Sequence, residues 1–180
     1  SCLCGFECDW NEKAVECWFE SYLPDLDYGI AGAVEEAIVA AENWLFWADF
    51  DGYRVDAVKH MHDHLFYSVR HRLDRFVEAG NGPLYLVGET FTGDWGNGSG
   101  GEAMIAPYIN DSMLHGQFDF PLYWQIVRAF ARNEATLEDL AGVLQGSLSF
   151  YDGVMSPFLG NHDIPRFVSH AAGQIEDVWG

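Results

Sequence analysis

Three acidic residues, each placed just past an apolar run, constrain this chain more than any other feature. Asp56 follows Tyr53-Arg54-Val55, Glu89 follows Leu84-Tyr85-Leu86-Val87-Gly88, and Asp163 closes the stretch Phe158-Leu159-Gly160-Asn161-His162. The interval from Asp56 to Glu89 is 33 residues and that from Glu89 to Asp163 is 74. A parallel barrel that spends roughly 250 residues on eight strand-plus-helix repeats uses about 31 per repeat. The first interval is then one repeat, and the second is two repeats plus an insertion. Acids at the carboxyl ends of strands n, n+1 and n+3 would converge on the top face of such a barrel, where barrels of this kind carry their chemistry.

The pattern between the acids alternates accordingly. Residues 31–49 carry strong helix formers, with Val34, Ile38, Ala41 and Leu45 along one face, until Gly52 breaks the run and a strand follows over Arg54 to Val58. Residues 63–79 form the next predicted helix, striped by Leu65, Val69, Leu73 and Phe76 and stopped by Gly80-Asn81-Gly82-Pro83. Residues 84–87 read as a strand buried on both faces. The glycine-rich stretch at 93–101 reads as a flexible loop, and it lacks the Gly-Lys-Ser/Thr ending of a phosphate-cradling loop. Residues 116–120 predict a strand, 123–132 and 137–148 helices, and 154–161 the strand that delivers His162 and Asp163. Strand and helix in alternation imply a parallel sheet, here of about four repeats.

Within the predicted strand at 54–58, Arg54, Asp56 and Val58 share one face while Val55 and Ala57 take the other. A guanidinium beside a carboxylate in a partly dry cavity favours the ionised acid, as a nucleophile requires. Taken alone, the same pair also fits a surface ion pair on a strand.

The segments DGYRVDAVKH (51–60), GET (88–90), GNHD (160–163) and LPDLD (23–27) resemble, in order and spacing, four short motifs of the alpha-amylase family of glycoside hydrolases. The resemblance implies a partial (β/α)8 TIM barrel, covering about strands 4 to 7 with their helices. Residues 1–28 would be the end of an irregular Cys-rich subdomain inserted before the fourth strand, and 29–180 the C-terminal part of the catalytic barrel. Half a barrel leaves open edges and an uncovered interior. The chain therefore reads as a fragment of a larger enzyme, expected to show negligible glucan hydrolysis by itself.

The same resemblance implies roles. Asp56 would be the nucleophile of a retaining glycosidase, Glu89 its general acid/base, and Asp163 the third acid that stabilises the transition state. Glu89, between Gly88 and Thr90 at the end of an apolar strand, sits where desolvation favours the protonated form. Arg54 would hold Asp56 ionised, and His162 would bind sugar hydroxyls beside the scissile bond. Lys59 and His60 would line the leaving-group side, and Asp25 with the His60 backbone carbonyl would ligate calcium. The substrate implied is an alpha-1,4-linked glucan, and LPDLD with its Cys-rich approach favours an alpha-amylase over an alpha-glucosidase. The alternatives are a glucan transglycosylase or alpha-glucosidase of the same family and a catalytically silent glucan-binding relative.

Composition bounds the remaining classes. A formal charge of −19, with Lys13 and Lys59 the only lysines, repels nucleic acid and anionic membranes, whereas a neutral polysaccharide feels no such field. No window approaches the uninterrupted apolar length of a membrane span. The first residues hold neither a basic cluster nor an apolar stretch, so no signal peptide is visible, although a leader could precede Ser1.

Cys2, Cys4, Cys8 and Cys17 leave two readings. Disulfides, with Cys2 and Cys4 joined to Cys8 and Cys17 or to cysteines upstream, imply a secreted protein. A zinc knuckle is the rival, and the spacing lacks the paired C-x2-C of common zinc sites. His60, His62 and His64 come one residue short of a binuclear zinc hydrolase motif. The sequons at Asn97 and Asn110 are informative only in a glycosylating host.

Overall fold

A computed structural model describes residues 2–80 and 82–175. The chain divides into two compact units: residues up to Glu89 together with Asn110–His115, and Thr90–Ile109 together with the residues from Gly116 on.

The first unit begins with the Cys-rich segment, which is cross-linked by Cys2–Cys8 and Cys4–Cys17. Helix α1 (Ala31–Ala48) follows and ends at Asp49, which adopts the left-handed conformation and donates its amide to Leu45. The helix thus stops before Gly52, where the sequence places the break. Strand β1 (Gly52–Val55) leads through a tight helical turn at Val58–His60 into α2 (Asp63–Glu78), and β2 is Tyr85–Gly88. Asn81, part of the expected stop after α2, lies outside the described residues.

Helices α1 and α2 bury the faces their periodicity predicts, with Val34 and Ile38 packed on Leu65 and flanked by Tyr28, Met61 and Val69. Arg72 of α2 then bridges to Glu35 at 2.8 Å and Glu42 at 3.2 Å on α1. Strands β1 and β2 pair in parallel, from Gly52 with Tyr85 to Val55 with Gly88.

In the second unit, helix α3 (Gly100–Ile105) starts inside the glycine-rich stretch expected to be a loop. Gly101 is admitted there by close packing, since a Cβ would lie 3.0 Å from Pro121. Strand β3 is short (Gly116–Gln117), because Asp119 caps α4 (Phe120–Ile126) by accepting the Leu122 amide at 3.0 Å, and Pro121 is preorganised for its first turn. The helix widens over Val127–Arg132 and ends at left-handed Asn133. Helix α5 (Leu137–Phe150) carries a Thr136/Asp139 capping box.

The strand expected at 154–161 is reduced to one parallel bridge between Phe118 and Ser156. Pro157 has no amide hydrogen to extend the ladder. The core of the unit is Phe120, Tyr123, Trp124, Val127 and Ile164, with Phe158 stacked on Tyr123 at 5.2 Å, and α6 (Phe167–Ala171) follows. No helix among the described residues is long and apolar enough to cross a membrane.

Gly52 is the tightest point of the β1–β2 pair. Its φ is +155°, and a Cβ there would lie 1.9 Å from the Tyr85 carbonyl oxygen, a backbone atom that cannot move without breaking the ladder. Gly52→Ala is expected to destabilise the chain by about 1 to 3 kcal/mol, the usual cost of overpacking, read as a lower urea midpoint at unchanged slope.

Candidate active site

The site residues of the first unit sit at the carboxyl ends of β1 and β2, one position beyond the last paired residues, Val55 and Gly88. The ladder continues past the strands, since the Glu89 amide donates to the Val55 carbonyl at 2.8 Å. In a regular parallel ladder the amide of residue 57 would then reach the Glu89 carbonyl. Instead Ala57 adopts the left-handed conformation at φ 49°, which costs a non-glycine residue roughly 1 to 2 kcal/mol. The Val58 amide takes over the Glu89 carbonyl at 2.8 Å, and the Ala57 amide donates to Glu89 Oε2 at 3.3 Å.

This turn is where the structure departs from the predicted strand over 54–58. The two-residue alternation stops at Ala57, so Val58 is buried rather than sharing the face of Arg54 and Asp56. Arg54 and Asp56 do point the same way, with Nη1 2.9 Å from Oδ1.

The two acids differ in surroundings. The Glu89 residue is only 5% exposed, whereas the Asp56 side chain is 69% exposed, so Asp56 is not in the partly dry cavity that the sequence reading gave it. It lies beyond the end of the strand pair, and among the described residues its ion pair is with Arg54. Burial holds the Lys59 ammonium below its ordinary range, opposed by the charges of Glu89 and then Asp9. Lys59 therefore lies within electrostatic reach of Glu89.

His60 turns the other way. Its imidazole is buried in the Cys-rich segment, with Nδ1 2.8 Å from the Ala14 carbonyl oxygen and the ring edge-on to Phe19 at 4.7 Å and Trp10 at 5.6 Å. The side chain is thus committed to the disulfide-linked segment. His62 and His64 stack on each other at 5.3 Å, with His62 3.9 Å from Asp27 and His64 bonded to the Tyr28 carbonyl, so the three histidines do not converge. Asp25 and His60 line one cavity of about 210 Å³ together with Ala57 and Met61. Calcium takes six to eight oxygen ligands, and the Asp25 carboxylate and the His60 backbone carbonyl are of the type it prefers.

In the second unit, Asn161 Oδ1 accepts the Asp163 amide at 2.9 Å, and Asp163 Oδ2 is 3.2 Å from His162 Nε2. The next residue, Ile164, is buried in the unit's core and anchors this turn. Both His162 and Asp163 are exposed.

Sequence reasoning had no means to find the Ala57 amide or the Ala14 carbonyl. Both are backbone groups aimed by local conformation, and neither residue type signals it.

Residues 7–178 match the family described as alpha amylase, catalytic domain. Alpha-amylase 2 of Schizosaccharomyces pombe is 31% identical, covering 94% of this chain and 27% of that protein. Alpha-amylase 1 of Schwanniomyces occidentalis is 30% identical, covering 86% and 28%. The crystal structure of the Geobacillus thermoleovorans alpha-amylase complexed with acarbose superimposes with a TM-score of 0.75 at 29% identity, over 92% of this chain and 35% of that one. The chain thus spans about a third or less of the length of these relatives.

Burial pushes the His60 imidazole down to about 4, with a small further push from Lys59 and the Ala14 hydrogen bond opposing. Below pH 6.5 the unfolded imidazole takes a proton that the folded one refuses until about pH 4. The His60 contribution to stability is therefore complete above pH 6.5 and lost as pH falls through that window, by about 2 to 3 kcal/mol. His60→Gln is expected to flatten this part of the profile, measured as the difference in urea-derived stability between pH 7 and pH 4.5 for the two proteins.

Proposed function

Because this chain belongs to the alpha-amylase catalytic-domain family, we propose that it carries the nucleophile and the acid/base of a retaining glycosidase that cleaves internal alpha-1,4 bonds of starch-like glucans. The observation that carries this reading is the register at the end of β1 and β2. The last paired residues are Val55 and Gly88, and the Glu89 amide bonds the Val55 carbonyl, so Asp56 and Glu89 are opposite neighbours on adjacent strands. Neighbouring strands lie about 4.8 Å apart at the backbone, so the two side chains start from adjacent positions, which is compatible with the roughly 5 to 5.5 Å carboxyl separation that a retaining mechanism uses.

Glu89, buried and held by the Ala57 amide, protonates the glycosidic oxygen as it leaves. Asp56, exposed to an incoming sugar and held by the Arg54 ion pair, attacks the anomeric carbon. Glu89, now a carboxylate, removes a proton from the water that releases the sugar from Asp56 with net retention. Asp163, oriented by the Asn161 turn, offers its negative charge to the oxocarbenium-like transition state, and His162 offers its ring to sugar hydroxyls. Arg54 holds the nucleophile, while Lys59 offers its ammonium on the leaving-group side and adds a positive charge near Glu89. Calcium, when bound, would draw on the Asp25 carboxylate and the His60 carbonyl, and would tie the Cys-rich segment to the turn after β1. The two disulfides fit an oxidising, extracellular setting.

The test uses the full-length protein that carries this chain. Glu89→Gln is expected to lower kcat on a maltooligosaccharide by roughly 10²- to 10⁴-fold, and an activated fluoro-sugar is expected to label Asp56. Labelling elsewhere, or a first product of inverted anomeric form by NMR, would overturn the assignment. Products longer than the substrate would show that a sugar hydroxyl, not water, captures the intermediate.

A further inference from the structure

Cys4, Cys17 and His60 are all buried, and their two sulfurs and a ring nitrogen lie within 4.8 Å of one another. We propose that these three residues form a redox-gated metal site: closed as the Cys4–Cys17 disulfide, and open, once reduced, to a borderline-soft divalent cation such as zinc. The inference does not depend on the glycosidase reading, and it uses the His60 imidazole, not the carbonyl assigned above to calcium.

The donor set selects the metal. Two thiolates and an imidazole suit zinc, whereas calcium and magnesium require oxygen. Three protein ligands with a fourth position left to water is a recurrent zinc arrangement. Zinc–sulfur bonds of about 2.3 Å and zinc–nitrogen bonds of about 2.0 Å at tetrahedral angles separate the two sulfurs by roughly 3.8 Å, and nitrogen from sulfur by roughly 3.6 Å. Opening the disulfide therefore moves the sulfurs apart by less than about 2 Å, and the nitrogen lies no more than 4.8 Å from either sulfur.

One imidazole nitrogen is already committed to the backbone, which assigns the ligand role to the other. Nδ1 is 2.8 Å from the Ala14 carbonyl oxygen, and a neutral ring that donates there leaves the Nε2 lone pair for a metal. Such a hydrogen bond from the second ring nitrogen to a backbone carbonyl is the usual support of a metal-bound histidine. Phe19 and Trp10 wall the ring edge-on and fix its plane.

The chemistry balances with a dithiol as reductant. The Cys4–Cys17 bond takes two electrons and two protons to give two thiols, while the dithiol loses the same and closes to its own disulfide. Metal binding then releases the two thiol protons to solvent. The metal replaces the cross-link between the same two residues of the segment.

The test uses the 180-residue chain with Cys2→Ser and Cys8→Ser, so that only the proposed thiols remain. The protein is reduced with dithiothreitol, desalted anaerobically and titrated with cobalt(II) as a spectroscopic stand-in for zinc. The reduced protein is expected to take up one cobalt per chain, with thiolate-to-metal charge-transfer and tetrahedral d–d bands, and the oxidised protein none. His60→Gln is expected to weaken uptake at least about tenfold, the lower end of what loss of an outer partner costs, and to change the d–d envelope. Absence of uptake by the reduced protein, whether or not circular dichroism shows the fold kept, would overturn the proposal. So would an unchanged affinity and spectrum in His60→Gln.

Discussion

The parallel hydrogen bonding of β1 with β2, carried one residue past the strands themselves, is the constraint on which the candidate site depends. Glu89 donates to Val55 and accepts from Val58, so its backbone is fixed on both sides. The left-handed turn at Ala57 lies between those two bonds and spends its own amide on the Glu89 carboxylate. Backbone strain of this kind persists only where surrounding structure over-determines it. Here the determinants are the ladder on one side and buried Val58 on the other. The outcome is that one carboxylate is enclosed and oriented while its neighbour on the next strand is exposed and paired to Arg54. Two acids a strand apart are thereby given different environments, which is the condition for different roles.

The Cys-rich segment is bound to this turn from the opposite direction. His60 leaves the turn that follows Asp56 and inserts its ring beside the Cys4–Cys17 disulfide, against Ala14, Trp10 and Phe19. The segment has little regular structure, and its cohesion comes from two disulfides and a few isolated bridges. A histidine that is neutral because it is buried is a consequence of that embedding. Asp25 lines a cavity shared with His60, which puts a carboxylate residue next to the same junction.

The second unit solves a separate problem, the presentation of an exposed His-Asp pair on a short turn. The pair is not buried, so its position comes from its neighbours: Asn161 accepts the Asp163 amide, and Ile164 is sunk among Phe120, Tyr123 and Trp124. Phe158, four residues upstream of His162, stacks on Tyr123 and anchors the other side. The stretch needs no long strand to be held, which is why Pro157 is tolerated where a regular ladder would reject it.

Periodicity and spacing alone pointed to helices over 31–49 and 63–79, a strand over 84–87 and the alternation that implies a parallel sheet, and the chain forms these as Ala31–Ala48, Asp63–Glu78 and Tyr85–Gly88, the last paired in parallel with β1. These are local or repeat-length properties: an apolar stripe needs only a partner of some kind to become a buried face. Tertiary structure decided the rest. Whether residues 54–58 run straight or turn at Ala57 depends on the Glu89 backbone, 32 positions away, offering one carbonyl and one carboxylate as acceptors. Whether His60 faces a substrate or a disulfide depends on a carbonyl at Ala14, 46 residues earlier. No residue type announces these outcomes, because each is settled by a partner group that becomes available only when distant parts of the chain have met.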